Sequence, residues 1–132
     1  MDASTREDLI KIKDSILKEL NDVDAVYLFG SVAKGTQKET SDYDIVVFVN
    51  KLPKNKIKSI SRIRNDVSDH INRPLELFIL ETEDLKFPSP FLYEVYNNHL
   101  LIHGKDVIRR CKEVIKNIRP FFMDGVKIGY HV

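Results

Sequence analysis

Two short groups of residues in the first third of the chain have the types and spacing needed to bind a phosphorylated ligand. Gly30 and Ser31 follow one apolar run, and Asp42 and Asp44 precede another. A glycine after a strand lets backbone N–H groups approach a phosphate, and the serine adds a hydroxyl donor. The two aspartates are two residues apart, so their carboxylates point to the same side of an extended chain and can hold Mg2+. The chemistry indicated is metal-assisted reaction of a nucleoside triphosphate.

The order of these groups is more informative than either group alone. A Gly-Ser pair is usually a turn, and Asp-x-Asp before a strand is usually a solvated or capping loop. Here a strand-like run, Gly-Ser, ten residues, Asp-x-Asp and a second strand-like run follow one another. This demanding arrangement favours one functional site over two unrelated loops.

A third acidic residue, Glu76, interrupts the otherwise apolar run Leu75–Leu80. In a strand, alternation places Glu76 on the same face as Phe78, opposite the odd-numbered residues. A carboxylate in a buried strand costs free energy unless it is paired or binds a cation. Two interpretations are open: Glu76 is a third metal ligand, or it pairs with a basic side chain such as Arg73 at a strand edge.

The hydrophobic pattern predicts the elements that position these residues. Apolar residues at helical spacing predict helices over residues 5–20, 54–70, 88–98 and 107–118. A Ser4 to Glu7 capping box marks the start of the first helix, and Pro88 and Pro90 open the third. Short apolar runs bounded by turn residues predict strands over residues 25–29, 45–49 and 75–80, with a short edge strand over 100–102. The expected fold class is α/β (α+β), with a small mixed sheet of three to four strands flanked by helices.

The composition indicates one globular domain over residues 1–132. The chain is 42% hydrophobic and 31% charged, and its 21 basic and 20 acidic residues leave a net charge of +1. Long nucleic acid is therefore not the expected partner. The single cysteine, Cys111, lies in an apolar-periodic stretch, which fits a buried thiol in a reducing compartment. No leader-like segment or apolar run of about 20 residues is present, so we expect a cytoplasmic protein.

Two weaker motifs are set aside. Gly30 and Gly35 have the spacing of a Walker A loop, but the lysine and serine or threonine that must follow are missing. His99 and His103 are four residues apart, yet no carboxylate or thiolate stands at zinc-site spacing from them. Neither pattern is expected to carry chemistry.

The combined pattern resembles the minimal nucleotidyltransferases of the DNA polymerase beta superfamily. Their signature of Gly-Ser, ten residues and Asp-x-Asp matches Gly30-Ser31 and Asp42-x-Asp44 in type and spacing. The chain is also similar to them in its preceding helix, in a third strand with one more carboxylate, and in a late glycine after an apolar stretch, here Gly104. The resemblance covers about residues 5–118 and implies the nucleotidyltransferase fold, with residues 119–132 as a C-terminal tail.

The resemblance implies a Mg2+-dependent transfer of a nucleoside monophosphate from ATP to an acceptor hydroxyl. It implies that two Mg2+ ions are held by three catalytic carboxylates, Asp42, Asp44 and Glu76. It implies nucleotide contacts from Gly30, Ser31 and Lys34, although a surface role for the lysine is equally open. One departure stands out, because the third carboxylate of the family is usually Asp and this chain has Glu.

Within the family the chain resembles the MNT antitoxins of MNT/HEPN toxin–antitoxin pairs. That resemblance implies transfer of AMP from ATP to a tyrosine of a HEPN toxin partner. Two alternatives remain open: a non-catalytic module that blocks a toxin by occlusion, and a transferase that acts on a small molecule such as an antibiotic. The aromatic tail either packs back on the core or forms a partner or dimer surface, so the oligomeric state is open.

Overall fold

The computed structural model describes residues 1–87, 89–116, 118–123 and 126–131, and from residue 119 onward it describes the backbone alone. The α-helices are α1 (Ala3–Glu19), α2 (Gly30–Lys34), α3 (Lys56–Val67), α4 (Pro90–Asn97) and α5 (Lys112–Ile115). The strands are β1 (Val23–Phe29), β2 (Tyr43–Val49), β3 (Leu75–Glu81), β4 (His99–Gly104), β5 (Arg119–Met123) and β6 (Val126–His131). Two 3-10 helices cover Thr82–Lys86 and Ile108–Cys111.

The first four strands form one mixed sheet in the order β3-β2-β1-β4. Strand β1 runs antiparallel to β2 and to β4, while β2 and β3 are parallel. A parallel pair needs a crossover connection, and α3 supplies it. The structure confirms the expected fold class and places β4 at an edge, as predicted.

Helices cover both faces of this sheet. On one face, α1 and α3 pack over a core that includes Leu28, Ile45 and Val47. On the other, α4, α5 and the 3-10 helices pack over a core that includes Tyr27 and Phe48. Burial on both faces explains why β1 and β2 read as continuous apolar runs rather than as alternating strands. Within the described ranges no helix combines the length and the apolar character needed to span a bilayer.

The start of α1 differs from the predicted capping box. Asp2 is the N-cap, and its side chain accepts a 2.7 Å hydrogen bond from the backbone N–H of Thr5. Ser4 lies inside the helix, where its hydroxyl accepts a 2.7 Å hydrogen bond from the Asn72 side chain. Both residues suit an N-cap, and the cap falls two residues earlier because Asp2 is also a good cap.

The C-terminal part of the chain differs more from the prediction than the start of α1 does. The helix predicted over residues 107–118 is a 3-10 helix followed by the single-turn α5, because buried residues three or four apart fit either helix type. Cys111 is buried as predicted, and its thiol donates to the carbonyl of Ile108 at 2.9 Å. Strands β5 and β6 form an antiparallel pair where only a tail was predicted. The predicted packing or dimer surface of that tail concerns side chains outside the described residues.

Candidate active site

Gly30 marks the turn from β1 into α2 and lies directly against Asp44. Its φ of +74° is a left-handed conformation that favours glycine. A Cβ added to Gly30 would lie 2.1 Å from Oδ2 of Asp44, far inside van der Waals contact. Phe29, immediately before the turn, pairs with Asp44 across the two antiparallel strands. The missing side chain therefore brings the backbone of the turn up to the carboxylate.

Asp44 and Glu76 are neighbours across the parallel strands β2 and β3, where they pair in register. Asp44 is half-buried and Glu76 is exposed on the edge strand, on the same face as Phe78. Burial, together with the negative charges of Glu76 and Asp42, raises the pKa of Asp44 to about 6. The fold thus brings the three predicted carboxylates into one electrostatic cluster.

The cluster fits Mg2+ by its chemistry. Three carboxylates supply the oxygen ligands that hard cations prefer, and a cation would relieve the repulsion that raises the pKa of Asp44. No group of three or more His, Cys, Asp or Glu side chains among the described residues is already arranged to hold a metal ion. A cation held by all three would require the carboxylates to move closer together. Glu76, exposed on its edge strand, has the freedom to do so.

Arg73 holds the loop before Asp42 and does not pair with Glu76. Its guanidinium Nη1 donates to the carbonyl oxygens of Lys38 at 2.5 Å and Ser41 at 3.1 Å. Within the part of the chain that the structure describes, Glu76 has no ion pair. The interpretation of Glu76 as the partner of Arg73 is therefore wrong, and its carboxylate remains available to a cation.

A buried carboxylate that sequence analysis missed supports the Asp-x-Asp segment. Asp8 of α1 is 2% exposed and accepts a 2.6 Å hydrogen bond from the hydroxyl of Tyr43. The backbone N–H of Asn72 donates to the same oxygen at 2.9 Å. Burial and the Asp8 hydrogen bond raise the pKa of Tyr43 to about 12. The signal that could have revealed Asp8 is its position on the apolar stripe of α1, four residues before Ile12.

The two remaining candidate residues lie in α2. Ser31 is half-buried in the first turn, next to Gly30, while Lys34 is exposed in the last turn. Ser31 is therefore adjacent to the turn that faces Asp44. A nucleotide contact from Lys34 stays a prediction.

A hollow of about 350 Å³ opens beside the carboxylates on the outer side of β3. It is lined by Asp42 and Glu76 on one side and by Ile60 and Arg64 of α3 on another, with Phe78 at its end. An uncovered space of this kind at the edge of the sheet can admit a substrate group.

A mixed sheet with a glycine turn against a cluster of three carboxylates defines a nucleotidyltransferase-type fold and site. The polymerase beta nucleotidyltransferase family matches residues 11–107 of the chain. A relative from Methanocaldococcus jannaschii, described as a putative protein adenylyltransferase, is 32% identical over 117 residues, which cover 81% of this chain and 80% of the relative. The chain belongs to the polymerase beta nucleotidyltransferase family, and we identify it as a nucleotidyltransferase enzyme.

Solved structures with the same fold include components of toxin–antitoxin complexes. One, a toxin–antitoxin crystal structure with AMP-PNP, matches with a TM-score of 0.63 and 20% identity, over 80% of this chain and 82% of the matched chain. Another is a complex of a tri-AMPylated Shewanella oneidensis HEPN toxin with an MNT antitoxin, with a TM-score of 0.58 and 16% identity over 82% and 81% of the chains. At these identities the similarity shows a common fold.

Proposed function

We propose that this enzyme transfers AMP from ATP to a tyrosine hydroxyl of a HEPN-type protein partner. The observation that carries the proposal is the position of Asp44. On one side it faces Gly30, whose missing Cβ leaves room for the carboxylate, and on the other it pairs with Glu76 in register. The backbone that we propose binds phosphate is therefore adjacent to the carboxylates that we propose bind metal.

The proposed roles follow from this placement. Asp42 and Asp44 would hold two Mg2+ ions, and Glu76 would complete the ligand set on the side of the acceptor. When bound, Mg2+ would lower the pKa of the acceptor hydroxyl. It would also neutralise negative charge on the leaving pyrophosphate. Gly30 and Ser31 orient the β- and γ-phosphates through backbone and hydroxyl donors.

The transfer itself is an in-line displacement. The acceptor oxygen forms a bond to the α-phosphorus of ATP, and the bond from that phosphorus to the bridging oxygen of pyrophosphate breaks. Glu76 would accept the proton of the acceptor hydroxyl, and its exposure beside the hollow at the edge of β3 supports this role. The protein residues contribute position and charge, with no covalent enzyme intermediate.

A protein acceptor is supported by two observations. The M. jannaschii relative is described as acting on protein, and the Shewanella oneidensis complex contains an AMPylated HEPN toxin beside an MNT antitoxin. In addition, the net charge of +1 is unlike the strongly basic balance typical of chains that hold a nucleic-acid primer. The two relatives together support a protein acceptor of the HEPN type, and the tyrosine follows from the resemblance to the MNT antitoxins.

The test is an adenylylation assay with the protein that the neighbouring gene encodes. With labelled ATP and Mg2+ we expect AMP on a tyrosine of that chain, located by mass spectrometry. The double variant Asp42→Asn, Asp44→Asn is the control and should give no label. Labelling of an antibiotic or an oligonucleotide instead of the protein would contradict the proposed acceptor. Inhibition of the toxin without any label would favour the non-catalytic module.

A further inference from the structure

The proposed reaction defines the side from which the acceptor approaches. Gly30 and Ser31 lie at the end of β1, on one side of Asp44, whereas Glu76 lies on β3, on its other side. An in-line displacement needs the attacking and leaving oxygens on opposite sides of the phosphorus. If the β- and γ-phosphates lie at Gly30 and Ser31, the acceptor oxygen enters over β3.

A second hollow, of about 300 Å³, opens along β3 on this acceptor side. Its apolar walls come from Phe78, Phe87 and Phe91, and we call it the aromatic hollow. Phe78 also lines the hollow that contains Asp42 and Glu76, so the two spaces adjoin at this ring. The aromatic hollow is therefore the apolar surface next to the carboxylates on the acceptor side.

The rings of the hollow are partly packed and partly left open. The ring centroids of Phe78 and Phe91 are 4.9 Å apart, and Phe29, directly before Gly30, is 5.3 Å from Phe91. Phe78 and Phe91 form the packed floor of the hollow, while Phe87 at the rim is 65% exposed. A large exposed aromatic side chain beside a packed aromatic floor is typical of a binding surface.

Two polar groups at the rim each accept a hydrogen bond from the backbone of the chain. The carboxylate of Asp84 accepts a 3.2 Å hydrogen bond from the backbone N–H of Glu81, and the hydroxyl of Ser89 accepts one from Leu92 at 3.2 Å. Neither group is exhausted, because a carboxylate has about four acceptor sites and a serine hydroxyl keeps its O–H donor. A phenol ring needs none of them, because its single hydroxyl can point away toward Glu76.

We infer that the aromatic hollow binds the ring of the acceptor tyrosine and makes the enzyme select tyrosine over serine and threonine. This inference rests on the proposed function. Residues two apart in a strand are separated by about 6.7 Å, a span comparable to a tyrosine side chain, so a ring on Phe78 places its hydroxyl near Glu76. A serine or threonine hydroxyl, which has no ring, gains nothing from the hollow.

The inference is tested by binding, separately from catalysis. N-acetyl-tyrosinamide is titrated into the protein with Mg2+ and AMP-PNP and followed by NMR. We expect saturable shifts at Phe78, Phe87 and Phe91, and no saturation with N-acetyl-serinamide. Phe87→Ala should weaken binding up to about tenfold. Ile57→Ala, which removes a 79% exposed side chain on α3, should leave it unchanged.

The outcomes are distinguishable from those of the adenylylation assay. Absence of saturable binding by N-acetyl-tyrosinamide would overturn the inference even if AMP transfer to tyrosine is observed. Binding of AMP-PNP that is weakened by Phe87→Ala would also overturn it, because adenine would then be the occupant. If N-acetyl-tyrosinamide binds but the enzyme labels no protein, the result would support binding of a tyrosine ring in the aromatic hollow. The same result would count against a HEPN protein as the acceptor. Since Phe87 is exposed, its removal should not disturb folding, and Phe91→Leu provides a second variant.

Discussion

The hydroxyl of Tyr43 donates a 2.6 Å hydrogen bond to the buried carboxylate of Asp8 and joins α1 to the residue between Asp42 and Asp44. The backbone N–H of Asn72 donates to the same oxygen. One carboxylate thus links the first helix, the start of β2 and the segment before β3. The segment that carries the proposed metal ligands Asp42 and Asp44 is thus anchored to α1.

Asp8→Ala should therefore destabilise the protein strongly. It leaves the Tyr43 hydroxyl and the Asn72 N–H without their acceptor, and each buried unsatisfied group costs about 1–3 kcal/mol. We expect the free energy of unfolding in urea to fall by about 2–4 kcal/mol. Asp14→Ala on the same helix, whose side chain is 65% exposed, should cost less than about 0.5 kcal/mol. Equal losses in the two variants would argue against the network.

The pH dependence of the free energy of unfolding should reveal the unfavourable burial of the Asp44 charge beside Glu76 and Asp42. The pKa of Asp44 rises from 3.8 to about 6 on folding, so the protonated form is favoured in the folded protein. The stability that protonated Asp44 contributes to the folded protein is fully present below pH 3.8, and it is lost as pH rises through 6. In metal-free buffer, Asp44→Asn should exceed the wild type in unfolding free energy by about 1 kcal/mol at pH 8, after allowance for solvent screening. The difference should vanish near pH 4, and a constant difference would exclude the titration of Asp44 as its source.

Mg2+ with AMP-PNP should stabilise the protein. At 100 times the dissociation constant, the ligand adds about 2.7 kcal/mol to the free energy of unfolding, measured by thermal melting. The increase should grow from pH 5 to pH 7 because Asp44 must lose its proton to bind the cation. The double variant Asp42→Asn, Asp44→Asn should show no shift. An unchanged wild-type melting temperature at saturating ligand would contradict the proposed metal site.

Glu76→Gln should reduce kcat for AMP transfer by about a hundredfold while changing ATP binding little, because Glu76 acts at the attacking oxygen. Glu76→Asp should retain part of the rate, since it keeps a carboxylate of shorter reach. The matched control is Glu83→Gln, another exposed glutamate, which should be fully active. A wild-type rate in Glu76→Gln would remove this residue from the site.

Two glycines permit a matched test of the contact with Asp44. Gly30 and Gly35 have φ values of +74° and +77°, so alanine at either position costs about 1–2 kcal/mol in backbone conformation. Only Gly30 would place a Cβ against Asp44, because a Cβ at Gly35 meets nothing within 4 Å. Gly30→Ala should lose activity at least tenfold in the adenylylation assay, while Gly35→Ala stays active. Similar activity of the two variants would show that the contact is not needed.

The features that the sequence predicted correctly depend on local pattern. The four strands of the main sheet, the turn at Gly30 and the face on which Glu76 lies follow from apolar runs, from a glycine and from strict alternation. The partners of Asp8 and Arg73 could not be predicted, because the residues they bind are 32 to 64 positions away in the chain. Only the tertiary arrangement brings them together.

The two strand pairings of Asp44 differ in how soon a refolding chain can form them. Gly30 is 14 residues from Asp44, across antiparallel neighbours, whereas Glu76 is 32 residues away through the α3 crossover. The longer loop costs more entropy to close, and parallel pairing gains stability only once the crossover helix has docked. We therefore expect the glycine turn and the aspartate pair to assemble early in folding, and the third carboxylate to arrive with the final docking of β3. A chain that lacks only the docking of β3 would then bind nucleotide but not transfer AMP.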